Sequence, residues 1–590
     1  MIIGNTNNQI AVQNTKIPEL TKTEISKNVS DSISVSSEKD VPFYTNNPSL
    51  KTASVKETAT TNGTENTINS KLAEQITSEI ASSLLPATGA VALKILYTND
   101  IHGAILPEKR DEQPEITFGG ISSLATLMSE KTEEGKTIKI DGGDWAQGTY
   151  ASGKDKGQTM MKLLSAIGYD AAVIGNHDFD WGREALNKML DNTGFPVLGA
   201  NITNSKNGKT MDGLKPYIIK DINGIKVGII GVTSPKTKGE TSAINTEGLD
   251  FGDPVASIKK YLPEMEKQNT EMILVASHCG DNIDEKIARE IPEIDVIVGG
   301  HSHNSLNPPR QVGKTLIVQS GSNNFKLGEL NLNYDKAQDK IVSFENNIIP
   351  INSQTSGPNP EIEKILSPII GEIMEKMNEY VGETEIDLTR RGSNAETIMG
   401  NIITDSMRKA AGTDVAFINQ GGIRAGIKPG IINYDAVYKV MPSENAIVTM
   451  DLTGKQLKGV MEESARRNRG TIEVSGMKMD IEPRNANNQR VTNITVNGEP
   501  LDLNKIYRVA AADFLATGGN GYEELARGQN YKDEDILIRD ALHKYMKDTG
   551  KFTEANAKVE GRQNYLSPKP LVNAVSRYFD LTSDSVSDNP

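Results

Sequence analysis

The chain predicts a layered α/β domain followed by a second α/β (α+β) block, and three observations carry that expectation. From Lys94 onward, short apolar runs alternate with helical stretches, the pattern of strands covered by helices. An Asn223-Gly224 pair lies between the runs YIIKDI and IKVGIIGV, a two-residue hairpin signal that makes the sheet mixed. The stretch INSQTSGPNP, from Ile351 to Pro360, then interrupts the pattern and reads as a linker. At 590 residues the chain is too long for a single core. At about 150 residues per domain, two folded domains plus extra segments are expected.

Taken in order, residues 1–92 are rich in Ser, Thr, Asn, Lys and Glu, with Phe43 and Tyr44 the only aromatic residues. Such a stretch cannot bury enough surface to offset its ordering entropy, so it is expected to be a disordered polar segment. Its start lacks the basic and apolar regions of a secretory leader. The string LPATG, Leu85 to Gly89, resembles a sortase signal, but no apolar segment and basic tail follow at the C-terminus, so it reads as coincidence. The runs KILYT, TIKID, AAVIG, PVLGA, KVGIIGV, MILVASH, DVIVGG and TLIVQSG read as strands, and QTMMKLLSAIG and DEKIAREI as helices, giving a first domain over 93–351. A linker and a helix from about Glu361 to Tyr380 occupy 352–380. The second block, 381–555, holds strand DVAFIN, helix GKQLKGVMEESARR, a hairpin at Asn497-Gly498 and strand YRVAAAD. Residues 556–590 read as a polar, frayed tail.

A net charge of -14 argues against a nucleic-acid polymer as partner, since such grips need clustered Lys and Arg. A small phosphorylated ligand stays open, because metal ions can supply local positive charge. No apolar run of 18 residues occurs, so no membrane span is expected. The single cysteine, Cys279, excludes an internal disulfide and reads as a small filler beside His278.

Five of the six histidines fall in four short segments at predicted strand ends: TNDIHG, GNHDFD, ASHCGDN and GGHSH. Ligands in α/β sheets gather beyond strand carboxyl ends, so Asp100, His102, Asp144, Asn176, His177, His278, His301 and His303 can converge on one rim. Asp100 and His102, two apart on an extended backbone, would share a face and bind one ion. In IDGGDW the glycines let the backbone pass close to a ligand and leave Asp144 free to bridge two ions, while Asp141 orients a neighbour or caps a turn. GNHDFD adds the carbonyl of Asn176, then His177 and Asp180. Alone, DIH suits a solvated loop and NHD a turn, but an HSH pair bounded by Gly-Gly is rarely core, and four such segments together read as a metal site.

These segments, followed by ETIMGNIITDSMR, NQGGIR and FLATGGNGY, resemble the 5'-nucleotidase and UDP-sugar hydrolase family of metallophosphoesterases over about residues 93–550. The resemblance implies a four-layer αββα metallophosphoesterase sandwich joined through a helix to a nucleotidase C-terminal, substrate-binding domain. It implies two divalent ions, of Zn, Mn, Fe, Co or Mg: one held by Asp100, His102, Asp144 and His303, the other by Asp144, Asn176, His278 and His301. His177 matches the catalytic histidine and Asp180 the carboxylate that orients it. In the second block, Asn419, Arg424, Phe514 and Asn520 match nucleoside-binding positions.

Three departures bear on the substrate. Ser443 stands where a second clamping phenylalanine is usual, Ala395 where an arginine is common, and Gln420 where a glycine is, with Arg390 or Arg391 as possible replacements for the arginine. The implied reaction is direct hydrolysis of nucleoside 5'-monophosphates by a metal-activated water. Alternatives are a 2',3'-cyclic nucleotide, a UDP-sugar or another small phosphate ester. Export is implied by the resemblance, although no leader is visible.

Overall fold

The computed structural model describes residues 89–110, 113–391, 396–466 and 471–567. Nearly all of the polar segment expected over 1–92, most of the LPATG string, Ala395 and residues 568–590 lie outside the described residues. Among the described residues no helix is long and apolar enough to cross a membrane.

The first block is built on two six-stranded sheets. In the first, Ala90–Thr98, Thr137–Asp141, Ala171–Val173 and Val197–Leu198 run parallel, and the antiparallel pair Lys326–Asp335 and Lys340–Pro350 completes the other edge. In the second, Ile225–Thr233, Met272–His278, Val296–Val298 and Thr315–Val318 run parallel, with antiparallel edge strands Tyr217–Ile222 and Arg310–Val312. The edge hairpin turns through Asn223 (φ 52°) and Gly224 (φ 80°), as the Asn-Gly pair predicts.

Strands covered on both faces need apolar residues on both, and the runs supply them. One face of each sheet meets the other sheet in a core that includes Ile95, Ile140, Val227, Leu274 and Val298. Helices Ile121–Lys131, Gln158–Ile167 and Gly182–Asp191 cover the outer face of the first sheet, and Pro254–Glu266 and Asp281–Glu290 that of the second. The result is a helix, sheet, sheet, helix sandwich.

The second block centres on a five-stranded mixed sheet in the order Ile472–Ser475, Val415–Asn419, Ile506–Ala512, Ala446–Thr453, Gln529–Leu537. Helices Ile398–Ala411, Gly454–Arg466 and Ile538–Thr549 pack on it around a separate core. The Asn497-Gly498 hairpin forms as expected, with φ of 50° and 87°.

Two boundaries differ from the sequence reading. The helix expected from Glu361 to Tyr380 is two helices, Pro360–Leu366 and Ile370–Met377, because Pro368 has no N–H to continue the ladder; Tyr380 instead opens strand Tyr380–Thr384. Ile362, Leu366 and Ile373 are buried in the first block's core, so this segment is built into that block. The tail read as frayed from 556 onward is structured to residue 567. Gln563–Tyr565 pairs in parallel with Met479–Ile481, and the backbone N–H groups of Arg562 and Gln563 donate to the buried Glu396 carboxylate.

The two blocks meet through Tyr150, whose ring stands edge-on to Tyr434 at 5.4 Å and Tyr438 at 5.8 Å. Ion pairs Lys439–Glu108 (2.6 Å) and Lys156–Glu444 (3.4 Å) flank that contact.

Candidate active site

Every cluster of chemistry-bearing residues in the first block follows the carboxyl end of a parallel strand. Asp100, Asp144 and Asn176-His177 follow three neighbouring strands of one sheet; His278 ends a strand of the other, and His301 and His303 follow the next. Asp100 (φ 51°), His102 (50°), Asp144 (57°), His301 (74°) and His303 (57°) are all left-handed. Asp100 and His102 therefore do not share a face through an extended strand, as the sequence reading had it. The backbone turns at both, bringing His102 Nε2 to 3.9 Å from Asp100 Oδ1. Such conformations cost about 1 kcal/mol or more each and persist only where their surroundings over-determine them.

Those surroundings are visible. Asp178, fully buried, accepts backbone N–H groups from Gly175 (2.8 Å), Asp144 (3.1 Å) and Trp145 (2.9 Å), pinning one ligand loop to the next. Asp141 accepts from Thr98 Oγ1 (2.5 Å) and the Gly143 N–H (2.8 Å), which is its expected orienting role. Asn99 donates to Asp100 Oδ2 (2.7 Å) and to the Gly321 carbonyl (2.6 Å), tying the first loop to the second sheet. The glycines of IDGGDW are required: a Cβ on Gly142 would lie 2.7 Å from that of Asn99, and one on Gly143 2.7 Å from His278 Nδ1. Cys279 is buried filler in the second sheet's outer core.

The donor set fits a cation site. His102 Nδ1 lies 2.9 Å from the Gln147 carbonyl and His278 Nδ1 2.7 Å from that of Gly142. A carbonyl can only accept, so both Nδ1 atoms carry protons, and each ring turns Nε2 inward, as a lone pair wherever the ring is neutral. There His102 Nε2 is 3.1 Å from His303 Nε2, His303 Nε2 3.2 Å from Asp100 Oδ1, and His278 Nε2 3.1 Å from Asp144 Oδ2. Asn176 Oδ1 lies 3.2 Å from His278 Nε2 and 2.9 Å from His301 Nδ1. Two triads, Asp100/His102/His303 and Asp100/Asp144/His278, have ligand atoms all within 4.8 Å of one another. Acceptors this crowded repel unless positive charge lies among them. Burial lowers His102 to about 3, leaving it neutral. Burial works against the ionised form of Asp100, but His303 and His278 outweigh it and hold the carboxyl down to about 2.

His177 stands beside the cage. Its Nδ1 donates to Asp180 Oδ2 (2.8 Å); Asp180 Oδ1 accepts from Thr241 (2.8 Å), and its backbone carbonyl from Asn245 (3.0 Å). Burial opposes charge on His177, yet Asp180 and Asp144 overcome it and raise the ring to about 9, so it is cationic at neutral pH.

A cavity of about 330 Å³ opens on these groups. From the first block it is lined by Asp144, Asn176, His177, Asp180, His301 and His303, and from the second by Asn419, Arg424, Phe514 and Asn520. Asp100, His102 and His278 lie buried behind that wall. Of the three departures, Ser443 lines the cavity, on a loop whose carbonyls at Met441, Pro442 and Ser443 each accept from the buried Arg539 at 3.2 Å. Gln420 is engaged within the second block, donating to Glu473 (3.0 Å) and accepting from Thr471 (2.5 Å). Arg390 donates to the Ile423 carbonyl, and neither it nor Arg391 is among the lining residues.

Sequence reasoning missed Asp178, Thr241, Asn245 and Arg539. Asp178 adjoins His177 and was open to notice, but a turn acid looks the same in sequence whether it is solvated or buried. The other three are distant in the chain from what they hold.

Residues 93–305 match the calcineurin-like phosphoesterase family. With the His and carboxylate cage at the strand ends, that makes the protein a metal-dependent phosphoester hydrolase. Residues 373–527 match the 5'-nucleotidase C-terminal domain. The chain is 28% identical over 531 residues to the trifunctional nucleotide phosphoesterase protein YfkN of Bacillus subtilis, covering 81% of this chain and 35% of that longer protein. It is 28% identical over 516 residues to a 5'-nucleotidase of Diplobatis ommata, covering 77% and 88%. The crystal structure of a 5'-nucleotidase precursor from Thermus thermophilus superposes with a TM-score of 0.71 at 28% identity, covering 81% of this chain and all of that one. The protein belongs to the 5'-nucleotidase family of metallophosphoesterases.

Proposed function

We propose that the protein hydrolyses nucleoside 5'-monophosphates to nucleoside and inorganic phosphate in this cavity. One observation carries the reading: the donor cage of the first block and Arg424 and Phe514 of the second line the same 330 Å³ space, a volume in the range of small-ligand sites. Asp100, His102, Asp144 and His303 would hold one divalent ion and Asp144, Asn176, His278 and His301 a second, with Asp144 shared. Bound there, the ions supply a water of lowered pKa and the charge that polarises the phosphoryl oxygens.

The chain's own residues do the rest. The Gln147 and Gly142 carbonyls keep His102 and His278 in the tautomer that presents Nε2. Cationic His177, steadied by Asp180, faces the cavity and neutralises charge growing on the transferred group. Arg424 meets the anionic end of the substrate. The Phe514 ring stacks on the base, backed by Gly519, where an added Cβ would lie 2.7 Å from the ring. Asn419 and Asn520 offer hydrogen bonds to the nucleoside. An exported location fits this reading, and cell fractionation checks it.

Ser443 on the cavity wall favours a second reading, in which a looser base site also admits 2',3'-cyclic nucleotides, UDP-sugars or other small esters. Phosphate release from AMP, UMP, UDP-glucose, 2',3'-cyclic AMP and an aryl phosphate, with and without chelator, separates the two. Chelator-sensitive release fastest from the monophosphates supports the first reading, and equal rates across the panel the second. Release indifferent to chelator refutes both.

A further inference from the structure

Glu240 is a carboxylate that the proposed hydrolysis does not use. It ends the short helix Thr237–Glu240 and lines the cavity; its side chain is 13% exposed, and both oxygens are buried without a hydrogen-bond partner among the described residues. An ionised carboxylate in that condition is costly unless a donor or a charge compensates it. Oε1 lies 3.8 Å from His301 Nε2. On the opposite edge of that ring, Nδ1 lies 2.9 Å from Asn176 Oδ1, to which it can donate in the metal-free chain; with an ion bound, both atoms would turn lone pairs to it. A neutral imidazole has one N–H and one lone pair, so whatever takes the proton at Nε2 decides that Nδ1 is free to ligate.

We propose that Glu240 is a positioning residue that accepts the Nε2–H of His301, fixing the tautomer and ring orientation that turn the Nδ1 lone pair into the cage. The inference rests on the proposed metal-dependent reading of this site. The 3.8 Å separation exceeds a hydrogen bond, and no hydrogen bond to another described residue holds the carboxylate away from the ring. His102 and His278 have backbone carbonyls in this role, and His301 has Glu240. The same short segment also holds Asp180 through Thr241 and Asn245, so residues 237–246 brace both the cage and the His177–Asp180 pair.

The test compares the full chain with Glu240→Ala and Glu240→Gln, reading metal content by elemental analysis after dialysis and the chelator concentration that removes half of the bound Zn or Mn. Glu240→Ala is expected to weaken one class of bound ion by about 10- to 100-fold. Glu240→Gln should restore most of it, since an amide oxygen accepts the same N–H. If Glu240→Ala does not fold, Glu240→Asp, which withdraws the carboxylate from the ring, is expected to show the same loss. Parent-like retention in the Ala variant, or in Asp where Asp replaces it, overturns the proposal, as does a Gln variant no better than the disruptive one. A parent chain that binds no ion overturns the metal-dependent reading as well.

Discussion

Replacing Asp178 by Asn tests whether the ligand loops are held by backbone hydrogen bonds to one buried carboxylate. In the parent, Oδ2 accepts from Gly175 and Asp144, and Oδ1 from Trp145. An amide has only one acceptor end. With its oxygen in the Oδ2 position, the NH₂ group faces the Trp145 N–H, leaving that donor and the amide's own hydrogens unsatisfied in a site with no solvent exposure. The opposite orientation strands two backbone donors. At about 1–3 kcal/mol per unsatisfied buried group, the better orientation costs about 2–6 kcal/mol. Asp178→Ala strands three donors and should cost more. Thermal and urea unfolding of the metal-free chains measure the loss, and phosphate release measures turnover, which should fall with it as the Asp144 and Asn176 loops lose register. An Asn variant within about 0.5 kcal/mol of the parent, with unchanged turnover, would refute the argument.

Three further outcomes are expected. His177→Ala should lower kcat by about 10²-fold or more while leaving metal content and melting temperature near the parent, since the ring faces the cavity and its loss removes a positioned charge; an unchanged kcat counts against its role. Phe514→Ala should raise KM for nucleotides by about tenfold to a hundredfold, the value of about 1–3 kcal/mol of stacking, and leave kcat/KM for a small aryl phosphate within a fewfold of the parent; parallel loss on both substrates would make Phe514 mere packing. Burial raises Glu473 from 4.5 to about 7, against the donors Gln420 and Thr397, so the folded chain prefers its proton. The associated stability is full below about pH 4.5 and lost as pH rises through about 7, about 3 kcal/mol at most; Glu473→Gln should remove that slope, and unfolding curves at pH 5 and 8 would detect its persistence.

The chemistry was more legible than the packing. His102, His278 and the HSH pair are readable because imidazoles clustered at strand ends have few other uses; His102, His278 and His303 lie with Asp100 and Asp144 in two groups of potential ligands, and His301 lies beside Asn176. The route by which they do so was not readable. Extended alternation predicts a shared face for Asp100 and His102, whereas left-handed turns bring them together, and local pattern carries no record of the distant groups that make those turns tolerable. Pro368 was in plain view as a helix break. The strand at Gln563–Tyr565 was not, because it is fixed by a partner about eighty residues away and by Glu396 rather than by its own composition. Gln420 looked like a change at the substrate and proves to be an anchor inside the second block.

Ile373 is sealed in the core of the first block and Val381 in that of the second, so the covalent tether between the two bodies is the few residues between them. A tether so short acts as an axle. A swing of one body against the other about that point would carry Phe514 and Arg424 along an arc, while the tyrosine contact at Tyr150, close to the tether, would move least.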